Sequence, residues 1–218
     1  MTEYSLHQEI KKACSISGDK FEVKLGKYIV DILRENLIIE VQTKNFSALK
    51  EKLQILTSNH QVRLVYPLVE RKWITYVTKN NIVIDRRKSP RKGVLTDVFR
   101  ELVMIPHLMG RENFSLEVLF IDEEEIRCAD GKGSWRRRGV SIKERKLLSV
   151  NKRVVFQDKS DYLKVLPEEL KEFFTNRELS KVAKIPIRTA QQITYCLRKS
   201  GIIQTLQKRG KAYLYQKS

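Results

Sequence analysis

The sequence predicts an α/β protein, a mixed sheet flanked by helices, followed by a small helix-rich domain that closes on a β-hairpin. Three observations carry that expectation. Two apolar, β-branched runs, Tyr28 to Leu33 and Leu37 to Val41, flank the polar trio Arg34, Glu35 and Asn36, which is the pattern of a tight hairpin. Phe46, Leu49, Leu53 and Leu56 then recur at helical spacing, and an apolar strand, Val62 to Val69, follows, so the chain crosses the sheet and returns parallel. The end of the chain reads helix, helix, turn, helix, hairpin.

Ser5 to Ser15 opens the chain as an amphipathic helix, with Ser5 as N-cap and Leu6, Ile10 and Ala13 on one side. Ser17, Gly18 and Asp19 turn into a strand, Phe21 to Leu25, and Gly26 leads into the hairpin. With Glu35 and Asn36 as the turn, Arg34 pairs with Leu37, Leu33 with Ile38, Ile32 with Ile39, and Asp31 with Glu40. The two acids then share one face, with Gln42 beside Glu40 and with Lys44 and Lys27 at its open end. Opposed like charges destabilise a sheet, so something compensates them. A divalent cation is one answer; hydration, or pairing with Lys27 and Lys44 at a sheet edge, is the other. Apolar residues on both faces of these strands point to a buried sheet, where hydration is harder. Glu9 has two readings as well, a helix charge paired with Lys12 or a third carboxylate entering the same site.

The order helix, strands, acidic hairpin, crossover helix, strand, over Ser5 to Val69, resembles the PD-(D/E)XK nuclease superfamily. Asp31 stands at the first acidic position, and Glu40, Val41 and Gln42 match the second motif except at its last residue, where the family carries Lys. The resemblance implies a restriction-endonuclease-like core in which Asp31 and Glu40 hold Mg²⁺ or Mn²⁺ for phosphodiester hydrolysis. Gln42 can donate a hydrogen bond but cannot act as a base, which leaves Lys44 or Lys27 as the cation of that face. A nuclease fold kept only for DNA binding or transcriptional regulation is the alternative, and an RNA-directed protein is a second.

The middle of the chain predicts a hairpin from Trp73 to Val77 and Asn81 to Asp85, a basic loop Arg86 to Lys92, a helix from Thr96 to Ile105, and strands at Leu116 to Ile121 and Ile126 to Cys128. The acidic run Asp122 to Glu125 reads as a solvated turn. Gly131 to Arg138 places Trp135 beside Arg136, Arg137 and Arg138, either as a phosphate-contacting loop with a stacking indole or as a solvated charge run with Trp135 packed inward.

From about Asp161 a second domain is expected, residues 161–218 after a first of 1–160. It predicts a helix from Tyr162 to Phe174, a second helix capped by Thr175 with Glu178 completing the capping box, and a third from Ile187 to Ser200. The hairpin Ile202 to Leu206 and Ala212 to Tyr215 carries Lys208, Arg209 and Lys211 at its tip. This order resembles a winged helix-turn-helix. The resemblance implies that Arg188, Thr189, Gln191, Gln192, Tyr195 and Lys199 face the major groove and that the hairpin meets phosphates. Winged helices also mediate protein contacts.

Composition bounds the reading. The 218 residues hold 43 Lys and Arg against 26 Asp and Glu, a net charge of +17 that favours a polyanionic partner, double-stranded DNA first. The segment from Asp161 onward carries 12 Lys and Arg against 5 Asp and Glu. Three separated cysteines give neither a disulfide framework nor a zinc knuckle, and the sequence shows no signal-peptide core or membrane span, so a cytoplasmic protein is expected.

Overall fold

The computed structural model describes residues 2–210 and 212–217, with side chains from Ser5 onward except that of Arg209. Lys211 lies outside the described residues, as does the Arg209 side chain. The chain opens with helix α1 (Thr2–Cys14), then strands β1 (Lys20–Leu25), β2 (Tyr28–Arg34) and β3 (Leu37–Val41), a 3₁₀ turn, and helix α2 (Lys50–Asn59). Two long strands follow, β4 (Gln61–Val77) and, after β5 (Val83–Lys88) and the short helix α3 (Phe99–Leu102), β6 (Phe114–Ala129). β7 (Val140–Phe156) completes a seven-stranded mixed sheet in the order β1-β2-β3-β4-β6-β7, with β5 paired to β4.

β3 and β4 pair in parallel, Glu40 opposite Leu64, as a helical crossover requires. β6 runs parallel to β4 along one edge from Val62 to Val77. The other edge of β4 is shared, its beginning paired to β3 through Val65 and its end to β5 from Trp73. Between them only a loop bridges: Gly93 N–H donates to Val69 O at 3.1 Å and Ser89 N–H to Lys72 O at 2.8 Å. A Cβ on Gly93 would stand 2.3 Å from Val69 O, so this strand-to-loop approach needs glycine. Pro67 sits in the same unpaired stretch. Val65 O and Val69 O both accept from this edge, so the alternating backbone turns the Pro67 nitrogen, which has no hydrogen, to the side where no strand asks for one.

The two sheet faces bury separate clusters. α1 places Leu6 and Ile10 on Ile32, Ile39, Val41 and Leu119. On the opposite face α2 places Leu53 and Leu56 on Val30, Ile38 and Leu64. The second cluster continues without a break through Phe99, Leu102 and Ile105 into the last third of the chain.

That last third contains α4 (Lys159–Leu163), β8 (Phe173–Phe174), α5 (Asn176–Val182), α6 (Ile187–Lys199), β9 (Ile203–Arg209) and β10 (Ala212–Lys217). β8, β10 and β9 form a three-stranded sheet in that order. The Thr175 hydroxyl accepts from Glu178 N–H and the Glu178 carboxylate accepts from Thr175 N–H at 2.7 Å, so the capping box forms. α6 buries Ala190, Ile193, Cys196 and Leu197.

Several local expectations are corrected. No helix runs from Tyr162 to Phe174: α4 ends at Leu163, the chain turns through Pro167, and Phe173–Phe174 pairs with Tyr215 and Gln216 instead. Asp122 to Glu125 is not a solvated turn but the middle of β6, with Glu123 1% and Glu125 2% exposed. Lys72 Nζ lies 3.0 Å from both Glu123 and Glu125, and Arg71 and Arg127 pair with Asp122 and Glu125. Most of these cations come from strands remote in sequence, so the acidic run read alone looked like one for water. Arg86 to Lys88 belongs to β5 rather than to a loop. The Thr96 to Ile105 helix is a 3₁₀ turn followed by the single turn of α3.

Candidate functional site

The hairpin forms in the expected register, with Arg34 opposite Leu37, Leu33 opposite Ile38 and Ile32 opposite Ile39. The ladder stops there. On β1, Glu22 takes a left-handed backbone (φ 51°), and the Glu22 and Asp31 rung is missing while Phe21–Ile32 and Val23–Val30 remain. The strand twists at this point, so Val30 packs into the α2 cluster and Ile32 into the α1 cluster, although alternation would put them on one face.

That twist separates the two acids. Asp31 meets α1: its Oδ2 lies 3.2 Å from His7 Nε2 and its Oδ1 3.3 Å from Lys11 Nζ, and Val41 N–H donates to Oδ2 at 2.8 Å. Lys11, only 2% exposed, also pairs with Glu22. Glu40 meets α2, where Lys52 Nζ donates to its Oε2 at 2.7 Å and to Ile29 O at 2.6 Å. The expectation that Asp31 and Glu40 face one another on a common side is therefore corrected. They still meet through the backbone, Asp31 N–H donating to Glu40 Oε1 at 3.4 Å.

Electrostatics follows the contacts. Burial pushes the Glu40 carboxyl up to about 7 against the pull of Lys52, with the Asp31 charge adding to the rise. Burial would raise Asp31 too, but the His7 hydrogen bond, the Val41 N–H and the His7 and Lys11 charges outweigh it and hold Asp31 below the ordinary carboxylate value. The same hydrogen bond raises His7 against the opposing effect of burial.

Gln42 turns its amide away from the acids and donates to Lys44 O and Asn45 O, closing the loop around the left-handed Asn45 (φ 59°). A cavity of about 680 Å³ lies here, lined by His7, Gln8, Glu22, Asp31, Gln42, Thr43, Lys44 and Asn45. Asp31, Gln42 and Lys44 thus share a wall that Glu40 does not reach. Glu9 does not join them, because its carboxylate accepts from Leu147 N–H of β7. Lys27 pairs with Glu51 at 2.7 Å. Among the described residues no group of three His, Cys, Asp or Glu side chains is arranged to hold a metal ion, and with the acids aimed at opposite helices the donor set does not fit Mg²⁺.

A family model described as a domain of unknown function, DUF8091, matches residues 4–157. The chain belongs to this DUF8091 family. The matched stretch takes in the hairpin acids and the whole seven-stranded sheet, and it stops just after β7. An uncharacterized protein of Treponema pallidum (strain Nichols) is 32% identical over 217 residues, which is 99% of this chain and 85% of that protein. The relative therefore extends past the DUF8091 segment and through α6 and the C-terminal strands. No solved structure matches the chain.

Beyond the DUF8091 segment, α6 keeps one stripe in solvent. Arg188, Gln191, Tyr195, Arg198 and Lys199 are exposed, at spacings that fall on one helical side. Gln192 is half-buried at its margin. Thr189, expected to face outward, is corrected: it is 5% exposed and turned inward, while Arg198, which sequence reading did not single out, is exposed on the stripe. Lys208 sits 5.5 Å from the Tyr213 ring on the hairpin. Trp135 is 83% exposed, not packed inward, with Arg136 5.6 Å from its ring. Arg138 adopts a left-handed backbone (φ 51°), and Arg137 Nε donates to Val140 O. Among the described residues no helix is long and apolar enough to cross a membrane.

Sequence reading missed His7, Lys11 and Lys52. Their signal was positional. Lys11 follows Ile10 within the apolar stripe of α1, and Lys52 lies three residues after Leu49 and four before Leu56 on α2. A cation on the buried side of a helix asks for an acid.

Proposed function

We propose that this chain is a DNA-binding protein whose nuclease-like core is catalytically inactive, its hairpin acids serving as internal ion pairs. What carries the reading is the solvent stripe Arg188, Gln191, Tyr195, Arg198 and Lys199 on α6, in a chain of net charge +17. Side chains of this kind on one helix side can read base edges in the major groove, and the α5, α6 and β9–β10 order resembles a winged helix-turn-helix. The basic hairpin tip would then lie on phosphates. For the core, each acid already has its cation in Lys11 or Lys52, so the compensation that opposed carboxylates require is internal.

Duplex binding measured against salt tests this. Arg188→Ala is expected to weaken specific duplex binding by roughly 1–3 kcal/mol, while Lys208→Ala lowers affinity for all duplexes and the salt slope by about one. Affinity unchanged in both variants, or an RNA duplex that outcompetes DNA at matched salt, overturns the reading.

A second reading, a metal-dependent deoxyribonuclease, draws on the 3.4 Å approach of Glu40 to the Asp31 backbone. It requires Glu40 to leave Lys52. Plasmid cleavage that appears with Mn²⁺ and disappears in Glu40→Ala would establish it over the inactive core.

A further inference from the structure

The chain has two tryptophans, and Trp73 does not belong to any surface described so far. It sits on β4 opposite Lys88 of β5, half-buried, with three cations around its ring: Arg86 at 5.6 Å, Lys88 at 5.7 Å and Arg71 at 6.0 Å. Arg71 is neutralised by Asp122 and Arg86 by Glu124, at 2.7 and 2.8 Å. Lys88 has no carboxylate partner among the described residues. β5 is exposed along its whole length and leads into Pro90, Arg91 and Lys92, so a basic track continues past the indole.

We infer that this face of β4–β5 binds single-stranded nucleic acid, with a base stacked on Trp73 and the backbone phosphates on Lys88, Arg86 and Arg71. Of the three cations on the ring only Lys88 lacks a carboxylate, so a backbone phosphate can supply its counter-charge and draw it off the indole, with the already paired Arg86 and Arg71 flanking it and the exposed part of the ring offered to a base. A half-buried indole on a sheet face has little ring free to wedge between stacked pairs. It is better suited to bases already unstacked, which favours a single strand over a duplex. The inference rests on the nucleic-acid reading proposed above and adds a second contact of different strand preference.

The test uses the full chain with Trp135→Phe, so that Trp73 is the one tryptophan, excited at wavelengths beyond tyrosine absorption and titrated with an oligo(dT) strand and with a blunt duplex. Oligo(dT) is expected to quench Trp73 emission, and Trp73→Ala to weaken oligo(dT) binding roughly tenfold with duplex affinity little changed. Lys88→Ala, an exposed change that leaves the sheet intact, is expected to weaken oligo(dT) binding and lower its salt slope by about one; it carries the test if Trp73→Ala fails to fold. Unquenched emission, or wild-type oligo(dT) affinity in Lys88→Ala, overturns the inference. If duplex binding persists in that case, the DNA reading stands; if neither strand form binds, both fall.

Discussion

Glu40 is held at 2% exposure beside one lysine, and its carboxyl is pushed up to about 7. A carboxyl whose folded value lies above its unfolded 4.5 binds its proton more tightly in the native state. Its contribution to stability therefore falls as pH rises from about 4.5 to about 7 and stays flat above, by roughly 3 kcal/mol at most. Glu40→Gln removes this slope. Urea denaturation at pH 5 and pH 8 should show the variant gaining about 1–3 kcal/mol on the wild type at the higher pH, and an equal difference at both would contradict the buried, raised carboxyl. Asp31 acts oppositely, since its lowered value contributes stability present above its unfolded 3.8 and lost as pH falls. His7, raised above 6.5, contributes below that value and loses its contribution as pH climbs through its folded pKa. The Asp31–His7 pair is thus most effective between those two unfolded values.

At the scale of elements, local pattern revealed the hairpin but not the aim of its side chains. The polar trio Arg34, Glu35 and Asn36 marks the turn and with it the register, while the runs on either side bury both faces, Ile38 in one cluster and Ile39 in the other. Alternation then predicts a common face for Asp31 and Glu40, and it fails at Glu22, whose left-handed backbone on the neighbouring strand nothing in β2 or β3 announces. β6 shows the same limit. Asp122 to Glu125 looks hydrated until Arg71, Lys72 and Arg145 arrive from β4 and β7. Helices were legible where caps are local, as with Thr175 and Glu178, and illegible from Tyr162 to Phe174, where the helix ends at Leu163 and Phe173–Phe174 is taken up by pairing with β10. Gly93 is also a long-range matter, set by Val69 O at 2.3 Å from where its Cβ would stand. Gly93→Ala should cost about 1–3 kcal/mol by forcing the loop off the β4 edge. Thermal melting checks this, and an unchanged midpoint would show the loop to be adaptable.

Over the whole molecule, one apolar cluster runs from Val30 and Leu53 through Phe99 and Leu102 to Tyr162, Ile193 and Leu197. Phe156 stacks on Tyr162 at 4.7 Å, directly across the place where sequence reading divided the chain. A chain ended at Gln157 would strip the cover from Phe99, Leu102 and Ile105. It is expected to bind a hydrophobic dye and to lose the cooperative melting of the full chain. A truncated protein that melts as sharply, without dye binding, would show that the sheet does not need α6.

Pro67 has a consequence of its own. Zipping β4 to a neighbour along its full length would call for a donor at every second rung, and an imino acid cannot supply one. Extending β3 further along β4 would therefore forfeit the hydrogen bond of that rung. The roughly 420 Å³ hollow beyond it, lined in part by Tyr66, Pro67 and Leu68, is thereby disfavoured from closing by strand pairing.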